Sequence, residues 1–203
     1  MQFIKSTEEL REIYGSPAKT SLVKETGHIT PHYRAYIEAS PFCGLATVGP
    51  EGMDCSPRGD LHGFVRVHDE HTLMMPDRRG NNRIDSLLNI VHDPRIALMF
   101  LIPGHGNCLR VNGEAGISAD DELRNSFAMD GKAPRSVTVI RTKAVYFQCA
   151  RAILRSKIWD SQSHVDPSTL PSAGEILAGI SDNTVGGKDY DDEWLGRARK
   201  TLW

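Results

Sequence analysis

The sequence lacks several features that would assign a function class at once. No apolar run approaches the roughly 18 residues of a membrane span, and the N-terminal segment carries charges where a signal peptide has an apolar core. It contains no C-x-x-C pair, Walker-type phosphate loop, Rossmann fingerprint or G-x-S-x-G motif, and no internal repeat. These absences favour a cytoplasmic protein with no membrane contact, and they argue against the commonest nucleotide-binding and hydrolase classes.

A strong excess of charge is missing as well. The chain has 24 Lys and Arg against 26 Asp and Glu, a formal net charge of −2. Nucleic-acid surfaces are typically basic, so this balance predicts no nucleic-acid partner. With 203 residues, 39% of them hydrophobic, the chain can bury the core of a single domain, which we place over 1–203.

Paired metal-ligand motifs are also scarce. The cysteines are isolated, and three of the four lie in strand-like runs, which predicts reduced and buried thiols. They are Cys43, Cys55, Cys108 and Cys149. His68 and His71 have a metal-like spacing, but Asp69 and Glu70 between them indicate an exposed turn. Because a structural zinc site needs four ligands, we predict no metal.

What the sequence does contain is a series of short apolar runs separated by turns. Predicted strands cover 42–48, 53–58, 63–67, 72–76, 96–102, 108–117 and 137–149, with Pro57 breaking the second. Predicted helices cover 6–14, 32–39, 83–92, 118–129, 150–158, 172–180 and 189–202. The fold class is therefore mainly β with peripheral helices (α+β), and closely spaced antiparallel strands favour a closed barrel. We divide the chain into a helical N-terminal extension (1–41), a barrel core (42–159) and a helical tail (160–203).

The stretch TLMMPDRRGNNRIDSLLNIVHDPRIA, residues 72–97, has the pattern of an anion-binding unit. A strand, a turn rich in Arg and Asn, and a helix follow one another, so backbone N–H groups and a positive helix end would meet at the turn. Arg78, Arg79 and Arg83 would add charge there. The alternative is that Asn81 or Asn82 caps the helix and that the arginines pair with nearby carboxylates on a solvated face.

Several ordered motifs together resemble a known family. CGLATVGPEGMDCSPRGD, then LMMPDRRGNNRIDSLLNIVHDPRIALMFLIPG, then LRVNGEA are similar to the pyridoxamine 5′-phosphate oxidase-like flavoproteins, over roughly 42–159. The resemblance implies an antiparallel FMN-binding split β-barrel, FMN as cofactor, and a homodimer with shared flavin sites. The chain's end, DDEWLGRARKTLW, lacks the paired arginines and histidine with which true members of that enzyme hold their substrate.

The resemblance also assigns candidate residues by position. The turn and helix start would hold the FMN phosphate, the preceding strand end would lie along the isoalloxazine edge, and the S-P-R strand would face the ribityl chain and phosphate. Trp159 would be an aromatic wall lent to the partner's flavin, Arg66 an extra phosphate ligand and Arg110 a polar contact. The residues assigned to the cofactor are Ser56, Arg58, Arg66, Met75, Pro76, Asp77, Asn81, Asn82, Arg83, Arg110 and Trp159.

Each of these assignments has a structural alternative. Arg58 could pair with Asp60, Asp77 could orient Arg79, Arg110 could face solvent, and Trp159 could anchor the tail. No side chain is an evident acid or base, so we name no catalytic residue.

The resemblance implies an oxidoreductase acting on a small molecule. The alternative is a non-catalytic protein that binds or stores flavin or haem on the same barrel.

Overall fold

A computed structural model describes residues 1–201. Its central element is a seven-stranded antiparallel sheet with the order β2-β1-β5-β6-β7-β4-β3. The strands are β1 Phe42–Gly49, β2 Gly52–Gly59, β3 Arg66–Val67, β4 Thr72–Pro76, β5 Arg95–Leu101, β6 Cys108–Ser118 and β7 Val137–Gln148. This sheet confirms the predicted class, mainly β with peripheral helices.

Helices lie before, between and after the strands. They are α1 Thr7–Tyr14, α2 Lys19–Val23, α3 Pro31–Ala39, α4 Asp85–His92, α5 Asp121–Asn125, α6 Arg151–Ser156, α7 Ala173–Ile180 and α8 Gly187–Thr201, with 3-10 turns at Ser161–Ser163 and Pro167–Thr169. Within residues 1–201, none of these helices combines the length and the apolar character that crossing a membrane requires. Leu202, the predicted end of the last helix, lies outside the described residues.

Alternation of apolar side chains determines which face of the sheet is buried. In β1, Cys43, Leu45 and Thr47 are buried while their neighbours are partly exposed, the period of two that a half-buried strand requires. Ile37 of α3 and Ile90 of α4 belong to the same core. Its fully buried members include Leu45, Leu73, Leu98, Phe100, Leu109, Val111, Ile140 and Val145. The core therefore lies between this face and the two helices.

The prediction of a closed barrel needs correction, because β2 and β3 each have a strand neighbour on one side only. Pro57 does not break β2, which continues to Gly59 in register with β1. Proline has no N–H to donate, so it is tolerated on an edge strand and disfavours pairing on the open side. β3 is only two residues long. The sheet is therefore an open, split barrel with two free edges.

The ends of α1, α3, α4 and α7 lie at the predicted residues, and the helix starts lie within three residues of the predicted ones. Ser6, Thr30 and Ser172 each accept a hydrogen bond from the N–H three residues ahead and so begin α1, α3 and α7. The predicted helices 83–92, 118–129 and 150–158 are shorter, and the strand predicted at 63–67 is only Arg66–Val67. Periodicity over a few residues does not show where tertiary packing stops supporting an element.

The cysteine prediction is half correct. All four thiols are free, but only Cys43 and Cys108 are buried, whereas Cys55 and Cys149 are exposed. Cys55 lies on the outward face of the edge strand β2, and Cys149 follows the last residue of β7. Burial raises the pKa of the Cys43 thiol to about 12, so this thiol stays neutral.

In the tail, α7 and α8 pack on each other through a buried contact of small residues. The Asp191 carboxylate accepts hydrogen bonds from the Ser172 hydroxyl at 2.5 Å and from the Gly174 N–H at 2.8 Å. Gly186 has a φ of 99°, and a Cβ there would lie 2.5 Å from the Gly174 carbonyl oxygen. Gly186 therefore makes a close backbone contact that only glycine permits.

Candidate functional site

The edge strand β2 presents a row of polar side chains on the face that carries the core. Asp54, Ser56 and Arg58 alternate along the strand and are opposite Thr47, Leu45 and Cys43 of β1. Directly opposite residues point to the same side of a sheet, and the three residues of β1 are buried. The three polar residues are half-exposed because no further strand covers them. The sequence D-C-S-P-R thus places a carboxylate, a hydroxyl and a guanidinium along one open edge.

The end of β4 faces the same region. Met75 and Pro76 are buried and pair with Thr138 and Val137 of β7. The next residue, Asp77, donates its backbone N–H to the Ser136 carbonyl at 2.9 Å. Pairing with β7 therefore continues up to the point where the chain leaves the sheet and forms the turn at 77–84.

This turn has an unusual backbone that arginine and asparagine side chains hold in place. Asn82 has a φ of 62°, a left-handed conformation that asparagine tolerates better than most residues. The Asn81 side-chain oxygen accepts the Arg83 N–H at 3.0 Å, and the Asn82 side-chain oxygen accepts Arg135 Nη1 at 2.9 Å. Within the described residues the exposed N–H groups of Gly80, Asn81 and Asn82 donate no hydrogen bond. The turn therefore offers three backbone donors to a ligand.

Three charged residues from separate elements meet beside the turn: Arg58 of β2, Asp77, and Arg135 from the segment before β7. We call them the charged cluster. Burial raises the pKa of the half-buried Asp77 carboxyl, and the positive charges of Arg58 and Arg135 oppose this shift without cancelling it. The cluster has two guanidinium groups against one carboxylate, which is an excess of positive charge. Such a cluster suits an anion with several acceptor oxygens.

The raised pKa of Asp77 predicts that Asp77→Asn stabilises the protein near neutral pH. A carboxyl with a raised folded-state pKa contributes stability that is full below its unfolded pKa, about 4, and is lost as the pH rises through the folded pKa. Asparagine does not titrate, so the melting temperature of the variant relative to the wild type should rise from pH 4 to pH 7.5. A relative fall over that range would show that attraction to Arg58 and Arg135 outweighs the cost of burial.

The start of α4 already faces negative charge. The Asp54 carboxylate accepts hydrogen bonds from the Ser56 hydroxyl at 3.0 Å and from the Ser86 hydroxyl, in the first turn of α4, at 3.1 Å. Asp85 is also in that turn, and the helix N-cap is Ile84 with no side-chain hydrogen bond. Neither Asn81 nor Asn82 caps α4. The positive surface therefore comprises the turn at 77–84 and the charged cluster, and it does not include the N-terminus of α4.

The arginines of the turn have separate roles. Arg78 Nε donates to Asp60 Oδ2 at 2.6 Å, and Arg78 Nη1 donates to the Phe127 carbonyl at 2.8 Å. Arg83 pairs with Asp85 at 2.6 Å, but its side chain is 80% exposed. Asp60 thus takes Arg78 as its partner, where the alternative interpretation had paired it with Arg58.

Three predicted residues make their contacts elsewhere. Arg66 donates to Ser126 and lies 3.8 Å above the centre of the Phe127 ring. Arg110 is 5.0 Å from the centre of the Tyr146 ring. Trp159 donates its indole N–H to the His105 carbonyl at 2.9 Å, the contact expected of an anchor for the tail. In the described residues, none of these contacts involves the charged cluster.

Arg135 is the residue that sequence reasoning missed. It is 53 residues from its partner Asn82, and no local motif surrounds it. The one feature of the sequence that points to Arg135 is its position just before the long strand β7. In the sheet β7 lies next to β4, which leads into the turn.

A shallow groove of about 670 Å³ lies at the other end of β4 and β7. None of the predicted site residues lines it; its lining comprises Asp69, Glu70, His71, Thr72, Glu114, Ala115, Gly116, Val139 and Arg141. Thr72 pairs with Arg141, whereas Pro76, next to the turn, pairs with Val137. The candidate site of a single chain therefore lies apart from this groove, beside the open edge of the sheet formed by β2.

Comparison with known proteins identifies the class to which this fold and site belong. Residues 29–149 match the sequence model of the family described as Pyridoxamine 5′-phosphate oxidase. The chain belongs to this family, and its open antiparallel sheet is the split barrel of the family. The matched range contains the turn, β2 and Arg135. No curated protein sequence matches the chain.

Solved structures are similar to about three fifths of the chain. A single-residue variant of HupZ from Group A Streptococcus is 18% identical with a TM-score of 0.50, over 59% of this chain and 99% of that chain. A candidate pyridoxamine 5′-phosphate oxidase from Lactobacillus delbrueckii is 21% identical with a TM-score of 0.48, over 60% and 95%. At these identities the first structure supports the fold alone.

Proposed function

We propose that this protein is an FMN-binding flavoprotein that exchanges a hydride or electrons with a small-molecule substrate. Membership of the pyridoxamine 5′-phosphate oxidase family supports the flavin. The observation that carries the proposal is the convergence of Arg58 and Arg135 beside a turn whose backbone N–H groups have no partner among the described residues.

The residues of this site fit the phosphate end of FMN. A phosphate dianion offers three acceptor oxygens, and guanidinium groups with backbone N–H groups are its usual partners. Arg58 and Arg135 would supply charge, the N–H groups of Asn81 and Asn82 would supply directed donors, and the exposed Arg83 could turn from Asp85 towards the ligand. Ser56 lies two residues before Arg58 on the same face of β2, and its hydroxyl would contact a hydroxyl of the ribityl chain.

The end of β4 is suited to the ring system. Met75 and Pro76 are buried and rigidly paired with β7, so the backbone beside them has a fixed direction. A fixed strand end orients a flat ring without side-chain rearrangement. FMN, when bound, supplies the redox chemistry, while the protein binds it, orients it and excludes water from one side.

We further propose a homodimer in which each copy completes the flavin site of the other. The candidate site is an open edge on one chain, and a cofactor of this size needs more enclosure. Trp159, half-buried on the His105 loop, would be the aromatic wall offered to the partner, and Arg110 would be a polar contact to the cofactor. We also propose a core at 42–159 with a helical extension on each side. We propose a cytoplasmic location as well, because free thiols favour a reducing compartment.

The first test is the visible absorption spectrum of the purified protein, with the released cofactor identified by mass. We expect a flavin spectrum and release of FMN. A Soret band would replace flavin by haem. A colourless protein that also fails to bind added FMN would refute the proposal, whereas bound FMN that no reduced nicotinamide reduces would indicate a flavin-binding protein.

A further inference from the structure

Asp77 is an unusual member of the charged cluster. Its carboxyl is half-buried, yet within the described residues its oxygens accept no hydrogen bond. Buried or half-buried carboxylates are normally paired, and the other carboxylates nearby follow that rule: Asp60 binds Arg78, and Asp54 binds two hydroxyls. The positive charges of Arg58 and Arg135 oppose the effect of burial on the Asp77 pKa, but within the described residues neither arginine forms an ion pair with Asp77, since Arg58 donates to the Pro57 carbonyl and Arg135 to Asn82. Asp77 acts on these arginines through charge alone.

Arg135 lies in a segment whose backbone is held by hydrogen bonds on both sides. Arg124 Nε donates to the Pro134 carbonyl at 2.9 Å, one residue before Arg135. Ser136, one residue after it, accepts the Asp77 N–H at 2.9 Å. Arg135 is therefore held on both sides, and its guanidinium reaches Asn82 at 2.9 Å. This preorganisation lowers the entropic cost of binding an anion.

In the described part of the chain, the other carboxylates near Asp77 have hydrogen-bond or ion-pair partners of their own. Arg78 is paired with Asp60, and Arg83 is paired with Asp85. Arg79 also belongs to the turn and has interactions of its own. On β1, Cys43 is neutral, and on β2, Asp54 is bound by Ser56 and Ser86. A new anion between Arg58 and Arg135 would thus act mainly on Asp77.

We propose that Arg135 binds the phosphate of the ligand and that Asp77 is the counter-anion which the phosphate displaces, taking up a proton from solvent as it does so. This inference rests on the proposed function. It adds a phosphate ligand that the family resemblance does not assign, and it makes phosphate binding dependent on pH through Asp77.

The physical reason is the repulsion between like charges in a partly desolvated site. A phosphate dianion and an ionised carboxylate cannot share two guanidinium groups without a large cost. The phosphate has twice the charge and three acceptor oxygens, so it takes the arginines. The cost falls when Asp77 is protonated, because the neutral acid no longer repels the phosphate. A neutral isostere at position 77 should remove the penalty at every pH.

The test compares FMN affinity of the wild type and Asp77→Asn between pH 5 and pH 8, by quenching of flavin fluorescence. Ionisation of the phosphate of FMN is common to both proteins and cancels in the ratio of their Kd values. We expect the variant to bind about tenfold more tightly at pH 8, the size of a charge–charge repulsion at about 6 Å. The ratio should fall towards one as the pH approaches 5. A ratio that is independent of pH, or weaker binding by the variant, would overturn the proposal.

Two ligands separate this inference from the proposed function. Riboflavin, which lacks the phosphate, should bind wild type and Asp77→Asn equally, and Arg135→Ala should weaken binding of FMN but not of riboflavin. Inorganic phosphate should protect the wild type against thermal unfolding less than it protects Asp77→Asn at pH 8, and about equally at pH 5.5. Phosphate binding with this pH dependence but no flavin binding would retain the inference and refute the flavoprotein. If FMN binds and neither Asp77→Asn nor Arg135→Ala changes its affinity, the flavoprotein is retained and the inference is refuted.

Discussion

Replacing Arg58 with alanine is expected to weaken FMN binding about 10- to 150-fold. A hydrogen bond to a charged group contributes about 1.5–3 kcal/mol, and about 1.4 kcal/mol corresponds to a factor of ten in Kd. Arg58 lies on the open edge strand β2, where its guanidinium donates to the Pro57 carbonyl at 2.8 Å and its positive charge opposes the burial that raises the Asp77 pKa. It therefore stands where the phosphate would be held, and calorimetric titration with FMN measures the loss.

Arg141→Ala is the matched control for Arg58→Ala. Arg141 is an exposed arginine on β7, at the end of the sheet away from the turn. The Arg141→Ala substitution removes the same charge from the protein as Arg58→Ala does, so a general electrostatic effect would weaken FMN binding in both variants. Loss of affinity in Arg58→Ala alone locates the phosphate, and equal affinities in all three proteins would show that the phosphate is bound elsewhere.

Asp60→Ala is expected to lower the free energy of unfolding by about 3 kcal/mol. The Asp60–Arg78 pair is 2.6 Å long, and its side chains are only 15% and 17% exposed. Removing one partner of a buried ion pair costs about 3–5 kcal/mol because the remaining charge is left uncompensated, and partial exposure places this pair at the lower limit. Arg78 also holds the Phe127 carbonyl at 2.8 Å, so the segment that leads to Arg135 should loosen. Urea unfolding followed by circular dichroism measures the change.

Asp192→Ala serves as the comparison for this stability prediction. Asp192 also pairs with a basic residue, Lys188, but both side chains are largely exposed in α8. Exposed pairs contribute little to stability, so this variant should keep the urea midpoint of the wild type. If Asp60→Ala keeps that midpoint too, the Arg78 pair does not fasten the turn to the rest of the protein.

Local chemistry in the sequence was sufficient for the order of elements and for several boundaries. Each of α1, α3 and α7 follows a serine or threonine whose side chain accepts a hydrogen bond from the backbone N–H three residues further on. Asp93 and Pro94 ended α4, and Gly49 to Gly52 closed the hairpin between β1 and β2. These features depend on residues close together in the chain, which is why a pattern can predict them.

Pairings between distant residues were not predictable in the same way. Arg78 has acidic neighbours in the sequence, yet it binds Asp60, 18 residues away. Arg66 was assigned to phosphate but binds Ser126, 60 residues away. A long, charged side chain reaches whatever partner the fold brings near, and sequence spacing does not record that distance.

The sequence by itself determined the antiparallel β-rich class, the resemblance to the family, the turn after the strand at 72–76 and the assignment of Ser56 and Arg58 to one strand. The class and the turn follow from alternation and turn chemistry over short stretches, whereas the roles of Ser56 and Arg58 are implied by the resemblance. Only the tertiary structure decided that the barrel is open at β2 and β3, that Asp54 faces the start of α4, and that Arg135 completes the charged cluster. Each of these depends on which strands become neighbours, and strand order results from packing the whole core.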